Sequence, residues 1–177
     1  VQDSSRFALD YLAKDMRMAG YMGCINTNKA SLKVTYLLNT SDSAYVAGLH
    51  LFAESIRAID NYASSDAALF NSVTNSSTLK PVTGSDVFIS TSALPTDIIL
   101  GAVHDNTSNN MSVSGPANQL SVLTKGSILM LSDCSTAHIF SISNITFPTT
   151  TTATITHATS VTPGIDNTQA TFTPKSY

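Results

Sequence analysis

The sequence predicts an α+β fold, with one amphipathic N-terminal helix followed by a mainly antiparallel β-sheet with long loops. Three observations point there. Hydrophobic spacing changes from a period near 3.6 to a period of 2 after Cys24. Six of the 21 formal charges fall in residues 1–17, whereas residues 134–165 carry none. The remaining apolar runs are short and are separated by Gly, Pro, Asn and Ser, the residues that punctuate strands. At 177 residues the chain fits a single domain that removes roughly 70% of its unfolded surface from water.

The helix comes first. Arg6, Asp10, Lys14 and Arg17 recur at steps of three and four, while Ala8, Leu9, Leu12, Met16 and Ala19 fall on the opposite side. That apolar stripe is expected to pack on the chain's own sheet. Asp10 and Lys14 are oriented for a favourable i,i+4 pair, and Gly20 and Gly23 provide the stop. Phe7, Tyr11 and Met18 form a second apolar stripe, readable either as a broader core-facing surface or as a face for a partner helix.

Beyond Cys24, Leu32, Val34, Tyr36 and Leu38 alternate with other residues as in a half-exposed strand. Residues 53–59 read as a short helix, and Asp66 as the cap of a further turn through Phe70. Strands are expected at Asp86–Thr91, Ile98–Val103, Leu120–Thr124, Ile128–Ser132, His138–Phe147, Ala153–His157 and Ala170–Thr173. Within His138–Phe147 the apolar phase slips at Ser143-Asn144, which calls for a bulge or bend. Thr149–Thr152 is a low-complexity run suited to a solvated turn or strand edge. No internal repeat is present.

Composition narrows the function. Charged residues are only 12% of the chain, against about 25% in typical soluble domains, and 48 of the 177 residues are Ser or Thr. A net charge of −3 lacks the basic footprint of a nucleic-acid binder. The longest central apolar run, residues 98–103, is far short of the ~20 residues that span a bilayer. The chain opens in mid-pattern at Val1 with neither initiator Met nor leader, and so reads as a fragment. Its Ser/Thr/Asn richness is common outside the cytoplasm. There Cys24 and Cys134 would form either a bridge or two separate buried thiols.

Catalytic signatures are missing. Phosphate-loop, dinucleotide, zinc-protease and nucleophile-elbow motifs are all absent. Cys134 and His138 are four apart on a segment that reads as strand, where that spacing does not bring side chains together as it does on a helix. His50, His104, His138 and His157 are scattered singly, without the spacing of a metal site. Asn-x-Ser/Thr occurs at Asn39, Asn75, Asn106, Asn110 and Asn144, which is little above chance in so Ser/Thr-rich a chain. No enzyme activity, cofactor, nucleic acid or small-molecule substrate is expected.

Two segments carry a family resemblance. Arg6-Phe7-Ala8, followed by Asp15-Met16-Arg17-Met18-Ala19-Gly20-Tyr21-Met22-Gly23-Cys24, resembles the end of the N-terminal helix in PilW-type minor type IV pilins. Ser127–Cys134, with Ala137 and Phe140, is similar to that family's second cysteine strand, and Gly84-Ser85-Asp86-Val87 to an earlier strand start. The resemblance covers scattered parts of residues 1–147.

The resemblance implies a pilin-like fold, with residues 1–23 as the end of the long helix and 24–177 as one β-rich head. It implies a Cys24–Cys134 disulfide, and a membrane-anchoring apolar helix with a methylated N-terminus ahead of Val1. Other minor pilins and a pilus-tip adhesin are the implied partners, with Phe7, Tyr11 and Met18 as the interface. The implied role is pilus assembly initiation and the tip complex, in adhesion and twitching motility, first at the bacterial inner membrane and periplasm and then on the extracellular pilus. The alternatives are a J-type pseudopilin of type II secretion and a free-standing secreted surface- or carbohydrate-binding β module.

Overall fold

In the computed structural model the described residues are 2–23, 33–45, 50, 55–67, 81–101, 108–133 and 136–169. Their elements, in chain order, are α1 (Gln2–Met18), β1 (Lys33–Tyr36), β2 (Ile56–Ile59), a 3₁₀ turn (Ser64–Ala67), β3 (Val87–Ser90), β4 (Ile99–Leu100) and β5 (Asn110–Ser114). There follow α2 (Ala117–Leu120), β6 (Ile128–Ser132), β7 (Thr136–Ser141), β8 (Asn144–Thr149) and β9 (Thr152–Thr156). The chain is α+β, and among the described residues every strand pair but β1–β7 is antiparallel.

The chain divides into two compact units, residues 1–22 with 46–93, and residues 23–45 with 94–177. The helix therefore groups with a middle segment of the chain, where the sequence reading places one head after residue 23. The reason is local bonding at the helix end. Gly20 N–H donates to Thr91 O at 2.8 Å and Ala93 N–H to Tyr21 O at 2.8 Å. Gly20 has φ +75°, and a Cβ there would stand 3.0 Å from Ser55 Oγ. Glycine thus both stops the helix and lets it seat.

In the same unit β2 and β3 pair with Arg57 opposite Ile89 and Ala58 opposite Phe88. Ile56–Ile59 is therefore a strand and not part of a helix, because pairing with β3 outweighs the helix propensity of Ala58, while residues 53–54 of the expected helix lie outside the described set. Asp66 caps its 3₁₀ turn by accepting Ala63 N–H at 2.9 Å, and residues 68–70 lie outside the described set.

The second unit holds two sheets, β1-β7-β6 and β4-β5-β9-β8. Their inner faces share one core, in which Leu37, Phe140 and Ile142 meet Met111, Val113, Ala153 and Ile155. The segment from β7 to β8 leaves one sheet and enters the other at Ile142-Ser143, beside the expected phase slip. There Ile142 N–H donates to Ser127 O at 2.9 Å and Ser143 N–H to Thr156 O at 2.8 Å, while Ser143 Oγ accepts Ala158 N–H at 2.8 Å. Strands that switch sheets make the corners of such packings.

Two expectations change here. Residues 117–120 form α2 after Pro116 and Leu120 is buried, with Leu123 N–H bonded to Leu120 O. The expected strand at Leu120–Thr124 is therefore a helix end and turn, because Pro116 starts a turn that carries Leu120 into the core. Asn110–Ser114 is a strand that hydrophobicity alone does not mark. Ile98–Val103 shortens to Ile99–Leu100 among the described residues. Val103, Leu32 and Ala170–Thr173 lie outside them.

Candidate functional site

Helix α1 carries a row of exposed large apolar side chains. Phe7 is 73% exposed, Tyr11 60% and Met18 37%. At 100° per residue these three fall within about 40° of one another, on one face. The helix places them together as a stripe, but they are not covered.

The opposite stripe departs from expectation. Leu9, Leu12 and Met16 are exposed, at 65%, 45% and 48%, so they do not form a core contact with the chain's own sheet. Bonds from the described rest of its unit reach α1 at its C-terminal end, where Ser90 Oγ donates to Asp15 O at 3.4 Å and Gly20 N–H to Thr91 O. Apolar side chains thus stand exposed on both stripes, while the C-terminal turn is bonded to Ser90 and the residues just after it to Thr91 and Ala93. Several large apolar side chains left exposed on one helix point to an interaction surface. What such a helix offers chemically is cover for another apolar surface, with Arg6, Asp10, Lys14 and Arg17 along its polar flank.

Cys24 and Cys134 lie outside the described residues, as does His104. His138 and His157 are buried, and the His157 ring meets Phe140 edge-on at 5.6 Å. Among the described residues no group of three or more His, Cys, Asp or Glu is placed to hold a metal ion. No helix among them is long and apolar enough to cross a membrane.

The second unit carries a polar feature that motif reading did not single out. Asp42 accepts Ala44 N–H at 2.8 Å on Oδ1 and Asp166 N–H at 2.7 Å on Oδ2. Those two bonds hold its carboxyl below the ordinary value, that from Ala44 contributing most, against a smaller opposing effect of burial. Beside it Asn39, Thr159, Ser160, Asp166, Asn167 and Thr168 line an open hollow of about 390 Å³. Burial pushes the Tyr36 phenol up, helped by Tyr45.

Neither the family models nor the curated proteins nor the solved structures compared with this chain yield a match.

Proposed function

We propose that the chain is a PilW-type minor pilin acting in type IV pilus assembly initiation and in the pilus-tip complex, a structural and interaction role without catalysis. The observation that carries this reading is the uncovered helix. Phe7, Tyr11, Leu12 and Met16 stand exposed on the segment whose sequence, through Gly20-Tyr21-Met22-Gly23-Cys24, resembles the helix end of that family. Neighbouring helices of other minor pilins would cover both stripes in an assembled complex, and a preceding apolar segment would anchor the helix in the membrane. The Cys24–Cys134 bridge belongs to the same reading.

The test is deletion of the gene in its host, with complementation by the full-length gene. Loss of surface pili and twitching, restored by the wild type and not by Phe7→Asp/Tyr11→Asp, supports the reading. Intact pili with blocked protein secretion would instead assign a J-type pseudopilin. Intact pili and intact secretion, with the product released free into the medium, would assign a secreted binding module.

A further inference from the structure

Among the described residues β6 is the edge of the β1-β7-β6 sheet and pairs with β7 alone. Bonds around it fix which way its backbone groups point. Ile142 N–H donates to Ser127 O at 2.9 Å, whereas Ile139 O turns to the other side of β7, accepting Leu37 N–H at 2.8 Å. Ser141 N–H also turns away from β6, to Asn167 Oδ1 at 2.8 Å. In the register of the two strands Ser141 stands opposite Ile128 and Ile139 opposite Met130. Antiparallel pairs alternate between bonded and non-bonded. Leu129 and Leu131 therefore bond to β7, while the N–H and C=O of Ile128 and Met130 point to the outer edge. No backbone group of the described residues meets them there.

The other edges of this unit carry features that discourage strand addition. β8 contains Pro148 and a register shift between Thr146 and Thr149, β1 begins with Lys33, and β4 is only two residues long. β6 has none of these: it reads Ile-Leu-Met-Leu-Ser, without charge or proline. Its two ends are of opposite sign. Lys125, in the turn that enters it, and Asp133, directly after it, are both exposed. With β4 it also borders a cleft of about 90 Å³, lined by Leu129, Leu131, Ile98, Leu100 and Phe140 among others.

We propose that β6 pairs antiparallel with β6 of a second copy of this chain, about a two-fold axis at Leu129, so that two three-stranded sheets join into one. An edge of alternating N–H and C=O groups is matched by another extended backbone. A register centred on Leu129 sets Ile128 opposite Met130 of the second copy. Each such pair exchanges both its N–H···O bonds through the groups that point outward. The same register sets Lys125 opposite Asp133 of the second copy, and Asp133 opposite its Lys125, so the end charges complement their own copy. Parallel pairing in register would instead bring like charges together, which is unfavourable. The two Leu129 side chains meet as a non-bonded pair, the closer kind, beside the apolar cleft. This inference does not depend on the pilus role proposed above.

The test is sedimentation equilibrium of the purified 177-residue chain, joined to amide hydrogen exchange read by NMR. A contact confined to one strand is small, so the dimer is expected to be weak, with a Kd of about 10–100 μM. As concentration rises through that range, the Ile128 and Met130 amides should gain protection, while those of Leu129 and Leu131, already bonded to β7, change little. Met130→Pro removes an outward N–H and no bond to β7, and should raise Kd about tenfold or more at an unchanged melting temperature. Should it melt earlier, Met130→Lys repeats the comparison with a charge on the edge. Carbodiimide coupling of mixed ¹⁵N-labelled and unlabelled chains should join Lys125 of one copy to Asp133 of the other. A monomer at all concentrations up to about 0.5 mM, or a dimer that both Met130 variants leave intact, would overturn the proposal. So would a dimer in which the Ile128 and Met130 amides gain no protection, or one without the Lys125–Asp133 link. A monomer whose Met130 amide becomes protected only on adding a different pilin head would overturn it in favour of that partner's strand.

Discussion

The side chain of Asn167 takes the place of a neighbouring strand for Ser141. Its Oδ1 accepts Ser141 N–H at 2.8 Å, and its Nδ2 donates to Ser141 O at 2.9 Å and to Ala158 O at 2.9 Å. Ser141 ends β7 where the chain leaves one sheet for the other, so its backbone loses its regular partner at a buried position. One carboxamide satisfies three backbone groups there, and Asn167 is itself held by its backbone N–H to Thr159 O.

Asn167→Leu keeps the volume and removes all three bonds. Each unsatisfied buried group costs about 1–3 kcal/mol, and relaxation recovers part of the sum, so the variant should lose about 3–5 kcal/mol. Asn167→Asp keeps the acceptor, loses both donors and buries a charge, and should be comparably destabilised. Urea unfolding of the purified chain measures both. A loss under 1 kcal/mol for Asn167→Leu would show that water replaces the amide.

Asp42 should make the segment around residues 159–168 sensitive to acid. Its folded carboxyl is held below the ordinary value by the Ala44 and Asp166 amides. A group with a lowered folded pKa contributes stability above its unfolded pKa, and that contribution disappears as pH falls through the folded value. The wild type should therefore lose melting temperature between about pH 5 and pH 2 more steeply than Asp42→Asn, which cannot titrate. Melting curves across that range decide it, and parallel curves would remove Asp42 from the explanation.

How far the sequence foretold these features depended on whether the signal was local. The slip in apolar phase at Ser143-Asn144 foretold the sheet corner, because alternation reports which side of a strand is covered. The two apolar residues of Asn110–Ser114 were too few to mark a strand; pairing with β9 makes it one. Ala58 within Ile56–Ile59 is a good helix former overridden by pairing with β3. For α1 the periodicity was legible but the cover was not, because the spacing of Leu9, Leu12 and Met16 says that a stripe exists and not what lies against it. Asn167 lies 26 residues from Ser141 with no local mark of its role.

Exposure of both stripes of α1 changes what substitutions there should do. Leu12→Asp and Tyr11→Asp should each shift the stability of the isolated chain by about 0.5 kcal/mol or little more, since neither side chain is buried. In the full-length protein, both should weaken co-purification with partner minor pilins. Thermal melts paired with pull-downs separate the two effects. A large destabilisation by Leu12→Asp alone would restore that stripe to the chain's own core.

A Cys24–Cys134 bridge would enclose 109 intervening residues. On the chain-entropy account a loop of that length contributes about 4–5 kcal/mol. Intact mass after alkylation without reductant should show no added groups, and reduction should lower the melting temperature. Two alkylated thiols in the unreduced protein would remove the bridge, and with it a main structural consequence of the pilin reading.

Gly126 and Gly23 offer a contrast that isolates close packing from backbone strain. Both have positive φ, +87° and +67°, so alanine at either position meets the left-handed cost of about 1–2 kcal/mol. At Gly23 a Cβ would find nothing within 4 Å, whereas at Gly126 it would lie 2.5 Å from Pro163 O. That oxygen belongs to the backbone and cannot swing away, and Gly126 N–H is itself bonded to Ile142 O at 2.8 Å. Gly126→Ala must therefore push the 163–164 turn away from the sheet corner or break that bond. It should cost about 1–3 kcal/mol more than Gly23→Ala. Urea midpoints at unchanged m-value give the comparison directly, and equal losses at the two sites would mean that the turn yields without penalty.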